Sequence, residues 1–286
     1  MHKHYRTIII SDLHLGTASS KVEEIVKFLL KNTCDHLIMN GDMIDAWELR
    51  KSGKWKARHT RFVKVIMRMM EMYNTRVTYL RGNHDEFLEE FMPLQVGNLF
   101  IQQDCILESK DKRLFVVHGD IFDNVTTHMK WIAKLGSAGY NLLLWLNKFY
   151  NQYRRWRGKE PYSFSQYIKG KVKSAVNKIS AYEKQLTEFA RTKQCDGIVC
   201  GHIHKPAMKE MEGGLLYMNS GDWVESMTAL VEDYDGNWEL IYYKDWLLSL
   251  LENEHTTLEQ ENEQLDKNIK IEPEYLTIAQ ALPYKK

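Results

Sequence analysis

The sequence predicts an α/β fold, a parallel sheet flanked by helices and interrupted by a helical insertion, and three observations carry that reading. Apolar runs of strand length recur five times before residue 205, each stopping at a polar cluster. Helical stripes of apolar residues separate the first three runs, which is the βαβ rhythm. Residues 126 to 192 then carry helical patterning and no strand signal.

Taken in order, "TIII" leads into Ser11-Asp12-Leu13-His14. Val22, Ile25, Val26, Leu29 and Leu30 follow with helical spacing, and Ser20 and Glu23 are spaced as a capping box. "HLIMN" runs into Gly41-Asp42, after which Phe62, Val65, Ile66, Met69, Met70 and Tyr73 form a second helical stripe. "VTYL" runs into Arg81-Gly82-Asn83-His84-Asp85, "LFVV" into His118-Gly119-Asp120, and "DGIVC" into Gly201-His202-Ile203-His204. Short strands return over residues 215 to 243, with a turn at Asp235-Gly236-Asn237. These boundaries give a main domain over residues 1–245 containing the insertion 126–192. An acidic helix and tail follow over residues 246–286.

Within the insertion, an aromatic and apolar first helix is followed by a turn containing Pro161. A second helix carries Ile168, Val172, Ala175, Val176 and Ile179 on one stripe. From Asn147 to Lys178 nine basic residues face a single acid, Glu160, a local charge of +8 in a chain whose formal net charge is +1. Beyond residue 250 eight acids outnumber four lysines. The stripe of Leu142, Trp145, Phe149 and Tyr153 with cations at its ends and flanks suits an anionic membrane surface and hydrocarbon.

With 286 residues, 44% hydrophobic and 27% charged, the chain has the composition of a soluble globular protein. Its longest apolar stretch, residues 142–146, is too short to span a bilayer, and no signal-peptide pattern precedes the first strand. A cytoplasmic protein is expected. Cys34, Cys105, Cys195 and Cys200 lack CxxC spacing and read as free thiols.

The clusters share a position and a chemistry. Each lies just past the C-terminal end of a strand, the edge where ligands collect in α/β sheets. Together they offer Asp12, His14, Asp42, Asn83, His118, His202 and His204, carboxylates, imidazoles and one amide oxygen without a thiolate. That set suits manganese, iron, zinc or magnesium. Seven donors exceed what one ion needs and match two ions sharing a carboxylate, the arrangement that clamps an in-line displacement at phosphorus. His2, His4, His36, His59, His128 and His255 lie outside the clusters and read as core or surface residues.

The order DxH, GD, GNHD, a lone histidine and GHxH resembles the calcineurin-like metallophosphoesterase family over the span Ser11 to His204. The resemblance implies a sandwich of two β-sheets flanked by helices, and two divalent cations, manganese foremost. It also implies that Asp12, His14 and His204 hold one cation, and Asn83, His118 and His202 the other, with Asp42 bridging. His84 would contact the phosphate and protonate or stabilise the leaving oxygen, with Asp85 fixing its tautomer.

The second cluster, the insertion and "NSGDWVES" (Asn219 to Ser226) together look like the UDP-2,3-diacylglucosamine diphosphatase branch, of which the GNHD form marks a sister group. The resemblance implies a nucleotide-linked lipid A precursor as substrate, UMP and a diacyl sugar phosphate as products, and a helical cap over the metal site. A peripheral position on the cytoplasmic face of the inner membrane goes with it. Arg154, Arg157, Lys171 and Lys178 are candidate substrate contacts. The rival readings are a nuclease or nucleotide phosphodiesterase, whose basic aromatic insertion would track a nucleic-acid backbone, and a non-catalytic interaction module. A net charge near zero argues against nucleic acid, and the full set of donors against the module.

Overall fold

A computed structural model describes residues 2–52, 54–125, 150, 152–158 and 179–252. One compact unit spans His2–Tyr243. Its core is two facing sheets, and the apolar runs of the sequence supply their central strands.

The first sheet has seven strands. Four of them, β1 (Lys3–Ile10), β2 (Asn32–Asn40), β3 (Arg76–Leu80) and β5 (Leu99–Gln102), run parallel side by side. Antiparallel neighbours finish both edges: β4 (Leu94–Val96) beyond β5, and β11 (Thr228–Glu232) with β12 (Trp238–Tyr242) beyond β1. The second sheet has a parallel centre of β7 (Lys112–Val117), β8 (Gly197–Cys200) and β10 (Leu216–Asn219) between antiparallel β6 (Asp104–Ser109) and β9 (Ala207–Glu210).

Parallel strands covered on both faces need apolar side chains at every position, which is why "TIII" and "GIVC" do not alternate. Ile9, Ile38, Leu80, Val116, Val199, Met218 and Leu230 meet between the sheets. On the outer side of the second sheet, Tyr182, Leu186 and Ala190 of the helix over residues 179–192 pack on Phe115, Ile198 and Tyr217. Helices α1 (Val22–Lys31) and α3 (Ala57–Tyr73) cross their sheet with the expected stripes buried, Val22, Ile25, Val26 and Leu29 in one and Phe62, Val65, Ile66 and Met69 in the other. Leu30 and Tyr73, at the ends of their helices, depart from their stripes and are exposed. All four cysteines are free, and all but Cys105 are buried.

The capping box at Ser20 is not formed. Lys21 precedes α1 without a side-chain cap. The Ser20 hydroxyl instead donates to the Leu13 carbonyl at 2.6 Å, because the loop that presents His14 leaves that buried carbonyl needing a donor.

Of the insertion, the described residues show helix at 152–156 and 179–192. Lys171 and Lys178 lie outside the described residues, as do Leu142, Trp145 and Phe149. Arg154 and Arg157 are described, and their guanidinium groups lie over the rings of Tyr150 and Tyr153 at 5.8 and 5.6 Å. Residues 243–252 are helical, and no described helix is long and apolar enough to cross a membrane.

Candidate metal centre

Parallel strands point their C-terminal ends the same way, so their following loops share one edge of the sandwich. Asp12 and His14 follow β1, Asp42 follows β2, Asn83 and His84 follow β3, His118 follows β7, and His202 and His204 follow β8. Both sheets contribute.

The side chains converge in three groups, each with ligand atoms lying within 4.8 Å of one another: Asp12, His14 and His204; Asp42, His118 and His202; and His14, Asp45 and His84. His204 Nε2 is 3.1 Å and His14 Nε2 3.9 Å from Asp12 Oδ1. Asp42 Oδ2 lies 3.4 Å from His118 Nε2, 3.8 Å from His14 Nε2 and 3.9 Å from His84 Nε2. That oxygen therefore sits between the groups.

The two aspartates divide their oxygens by task. Asp12 Oδ2 accepts the His202 backbone N–H at 3.0 Å, and Asp42 Oδ1 accepts that of His84 at 2.8 Å. In each case one oxygen ties two motifs together and the other faces the donors of the centre. Asp12 Oδ1, Asn83 Oδ1 and His118 Nε2 are buried and make no hydrogen bond. His118 Nδ1 lies 2.9 Å from the Asn40 carbonyl, so donation there leaves Nε2 as the ring atom turned toward the centre. Buried polar atoms without partners are costly. Carboxylate, amide and imidazole atoms crowded together without hydrogen bonds fit a hard-to-borderline divalent cation, which would satisfy them at once.

Backbone strain marks the same place. Nine described non-glycine residues have positive φ, and five of them are Asp12, His14, Asp42, His202 and His204. Each such residue costs about 1–3 kcal/mol unless its surroundings enforce it. Glycines make room for the donors. A Cβ on Gly41 would overlap the His118 ring, and one on Gly82 would overlap Asp42 Oδ1. We expect Gly82→Ala to weaken metal uptake at least tenfold and to cost about 1–3 kcal/mol of stability, read by metal titration and denaturant unfolding. Unchanged uptake would mean that Asp42 is not a ligand.

The electrostatics of the metal-free centre follow from its crowding. Burial would raise the Asp12 carboxyl, but the His204 and His118 imidazoles outweigh it and hold it down at about 2. Burial would likewise lower His118, and the Asp42 and Asp12 carboxylates outweigh that and raise it to about 10. His118 therefore keeps its proton below about pH 10 without a cation, and ligation must displace it. Mn²⁺ added to metal-free protein at pH 7.5 in weak buffer is expected to release protons, and uptake to weaken as pH falls. A titration without acidification would contradict His118 as a ligand.

Asp85 is expected to fix the tautomer of His84, and the structure places its carboxylate on other partners. Asp85 is fully buried, and its two oxygens accept the backbone N–H groups of Met43 and Ile44 at 3.1 and 3.0 Å. It clamps the second motif to the third. Burial and the Asp42 carboxylate push it up to about 8. The carboxylate on His84 Nδ1 is that of Asp45, at 3.0 Å, and the same oxygen lies 3.5 Å from His14 Nδ1. The other Asp45 oxygen accepts the Glu48 N–H and caps α2 (Ala46–Ser52).

In the sequence "NSGDWVES" marks only the branch resemblance, and the structure gives it a local role. The Asn219 side chain donates to the Gly201 carbonyl at 2.8 Å, Ser220 and Ser11 share a 2.7 Å hydroxyl contact, and the Trp223 backbone N–H donates to the Asp12 carbonyl at 3.1 Å. "NSGDW" thus holds the loops of Asp12 and His202 against each other. Its place after a strand, like the five clusters, was the available signal.

Residues 5–206 match the family described as calcineurin-like phosphoesterase. The chain belongs to that family. As a calcineurin-like phosphoesterase it is a metal-dependent phosphohydrolase, and the two mixed sheets flanked by helices are its fold. Among curated relatives, the UDP-2,3-diacylglucosamine hydrolase of Shewanella sp. (strain MR-7) is 23% identical over 239 residues, covering 81% of this chain and 95% of the relative. The enzyme of the same name from Vibrio cholerae serotype O1 (strain ATCC 39315 / El Tor Inaba N16961) is 19% identical over 242 residues, covering 79% and 93%. Among solved structures, a Vps29 mutant of Entamoeba histolytica aligns with a TM-score of 0.39 at 11% identity, over 82% of this phosphoesterase and 98% of that chain. An archaeal phosphodiesterase gives 0.38 at 12%, with the same coverage.

Proposed function

We propose that this phosphoesterase uses two divalent cations, manganese foremost, to hydrolyse UDP-2,3-diacylglucosamine to UMP and 2,3-diacylglucosamine 1-phosphate. The observation that carries the dinuclear part is the position of Asp42 Oδ2 among His118, His14 and His84. In this reading Asp12, His14 and His204 hold one cation, Asn83, His118 and His202 the other, and Asp42 bridges. When bound, the cations supply Lewis-acid polarisation of the phosphoryl group and a nucleophile at neutral pH.

The chain supplies the rest. The Asp45 carboxylate lies 3.0 Å from His84 Nδ1, close enough to hold the ring as an ion pair with Nε2 on the Asp42 side. From there the imidazolium gives its proton to the leaving phosphate oxygen as the anhydride P–O bond breaks. The candidate ligands are themselves buried to different degrees, His118 fully and His204 least, so the substrate enters on the His204 and His84 side.

The names of the curated relatives support the substrate. A lipid substrate also gives the basic, aromatic insertion a purpose, accepting hydrocarbon beside an anionic surface on the cytoplasmic face of the inner membrane. The test is a Mn²⁺-dependent assay on UDP-2,3-diacylglucosamine, a cyclic nucleotide and single-stranded DNA side by side. Release of UMP from the lipid alone is expected. Cleavage of either of the others with the lipid intact would give the protein to the nucleases or nucleotide phosphodiesterases.

A further inference from the structure

A cavity of about 270 Å³ opens beside the metal centre, with His84 in one wall. The rest of its lining comes from α2 and from the 3-10 helix Glu86–Phe91, and includes Trp47, Arg50, Glu86, Phe87 and Glu90. Trp47 stands 4.5 Å from the His84 ring, centroid to centroid, and is 44% exposed. Phe87 is also exposed. These are large aromatic surfaces left in water against the residue nearest the chemistry.

The polar groups of this cavity are unspent. Arg50, Glu86 and Glu90 make no hydrogen bond or ion pair among the described residues. Glu89, the fourth charged group of the lining, is committed to Arg81, which also binds Asp120. The cavity therefore presents a flat aromatic face, a fork of N–H donors and two free carboxylate acceptors. A fatty chain would leave all three charges unanswered, and an inorganic anion would meet more carboxylate than guanidinium.

We propose that this cavity is the nucleoside subsite of the enzyme. The base stacks on Trp47 with Phe87 beside it, Arg50 donates to the base carbonyls, and Glu86 and Glu90 accept from the base N–H or the ribose hydroxyls. Stacking of a base on an aromatic side chain is a substantial and sequence-tolerant contribution to binding, and the donor and acceptor pattern of a pyrimidine matches the side chains present. This inference rests on the metal centre being the phosphoryl site, and it moves recognition of the nucleoside from the basic insertion to α2 and the Glu86–Phe91 turn.

Binding of UMP and of ribose 5-phosphate to the Mn²⁺-loaded full chain tests it without turnover, since the two ligands share the phosphate and ribose and differ in the base. UMP is expected to bind at least tenfold tighter. Trp47→Ala and Arg50→Met should each erase most of that difference, and Trp47→Phe should keep it. Equal affinity of the two ligands for the native protein would overturn the proposal, as would a preference for UMP that survives both variants. Glucosamine 1-phosphate serves as the third ligand: if its binding is what the variants weaken, the cavity belongs to the leaving sugar. Because no hydrolysis is measured, a failure of the lipid assay leaves this test standing. Arg50 lies away from the His84 ring contact, so its variant decides the matter if Trp47→Ala perturbs the centre.

Discussion

His84→Ala is expected to lower turnover by about 10²–10⁴-fold while leaving the metal content unchanged. In the proposed reading the imidazole is the acid rather than a ligand, with the Asp45 carboxylate 3.0 Å from its Nδ1 and its Nε2 3.9 Å from Asp42 Oδ2. Removing it takes away a proton donor and leaves the seven ligand candidates in place. The effect should fall on the chemical step and shrink for substrates with very acidic leaving groups, which need no proton. Loss of metal in the variant would instead make His84 a ligand. Asp45→Asn should reproduce part of the loss, because it removes the carboxylate that orients the ring while an amide oxygen can still cap α2.

Asp42→Asn should be more damaging still. In the proposed reading its Oδ2 would serve both cations, whereas any other donor would serve one. We expect metal content to fall from two ions per chain to one or fewer, and activity to fall on the order of a thousandfold or more, about 4 kcal/mol of barrier. The amide keeps the shape and one oxygen, so the His84 backbone contact survives and the fold with it. A variant that retained two ions and most of its activity would show that the bridging atom lies elsewhere.

The sequence made the chemistry of the site legible because the donors stand where strands stop. A reader needs only the apolar runs and the polar turns after them to collect Asp12, His14, Asp42, Asn83, His118, His202 and His204, and the structure brings these loops to one edge. The apolar runs alone could not tell that β1, β2 and β3 belong to one sheet and β7, β8 and β10 to another, since all read as parallel strands of one kind; the two sheets come from the family resemblance. The split matters, because it lets donors approach the centre from two sides.

The misreading of Asp85 has a simple cause. Neighbours in sequence look like partners, yet successive residues of a tight turn point apart, and Asp85 turns inward to backbone N–H groups while His84 turns to Asp45 of another loop. Positive φ at five of the donors was equally hidden, because aspartate and histidine tolerate it without declaring it. The glycines at 41 and 82 read as turn chemistry and prove to be clearances for His118 and Asp42. Trp47 reads only as the end of the second cluster and Arg50 carries no pattern; the cavity beside His84 is what they share.

Crystals of the Mn²⁺-loaded protein, read by anomalous scattering, test the account most directly. Two peaks are predicted about 3.5–4 Å apart, with Asp42 Oδ2 between them, Asp12, His14 and His204 on one, and Asn83, His118 and His202 on the other. A single peak, or two peaks held by other residues, would contradict it.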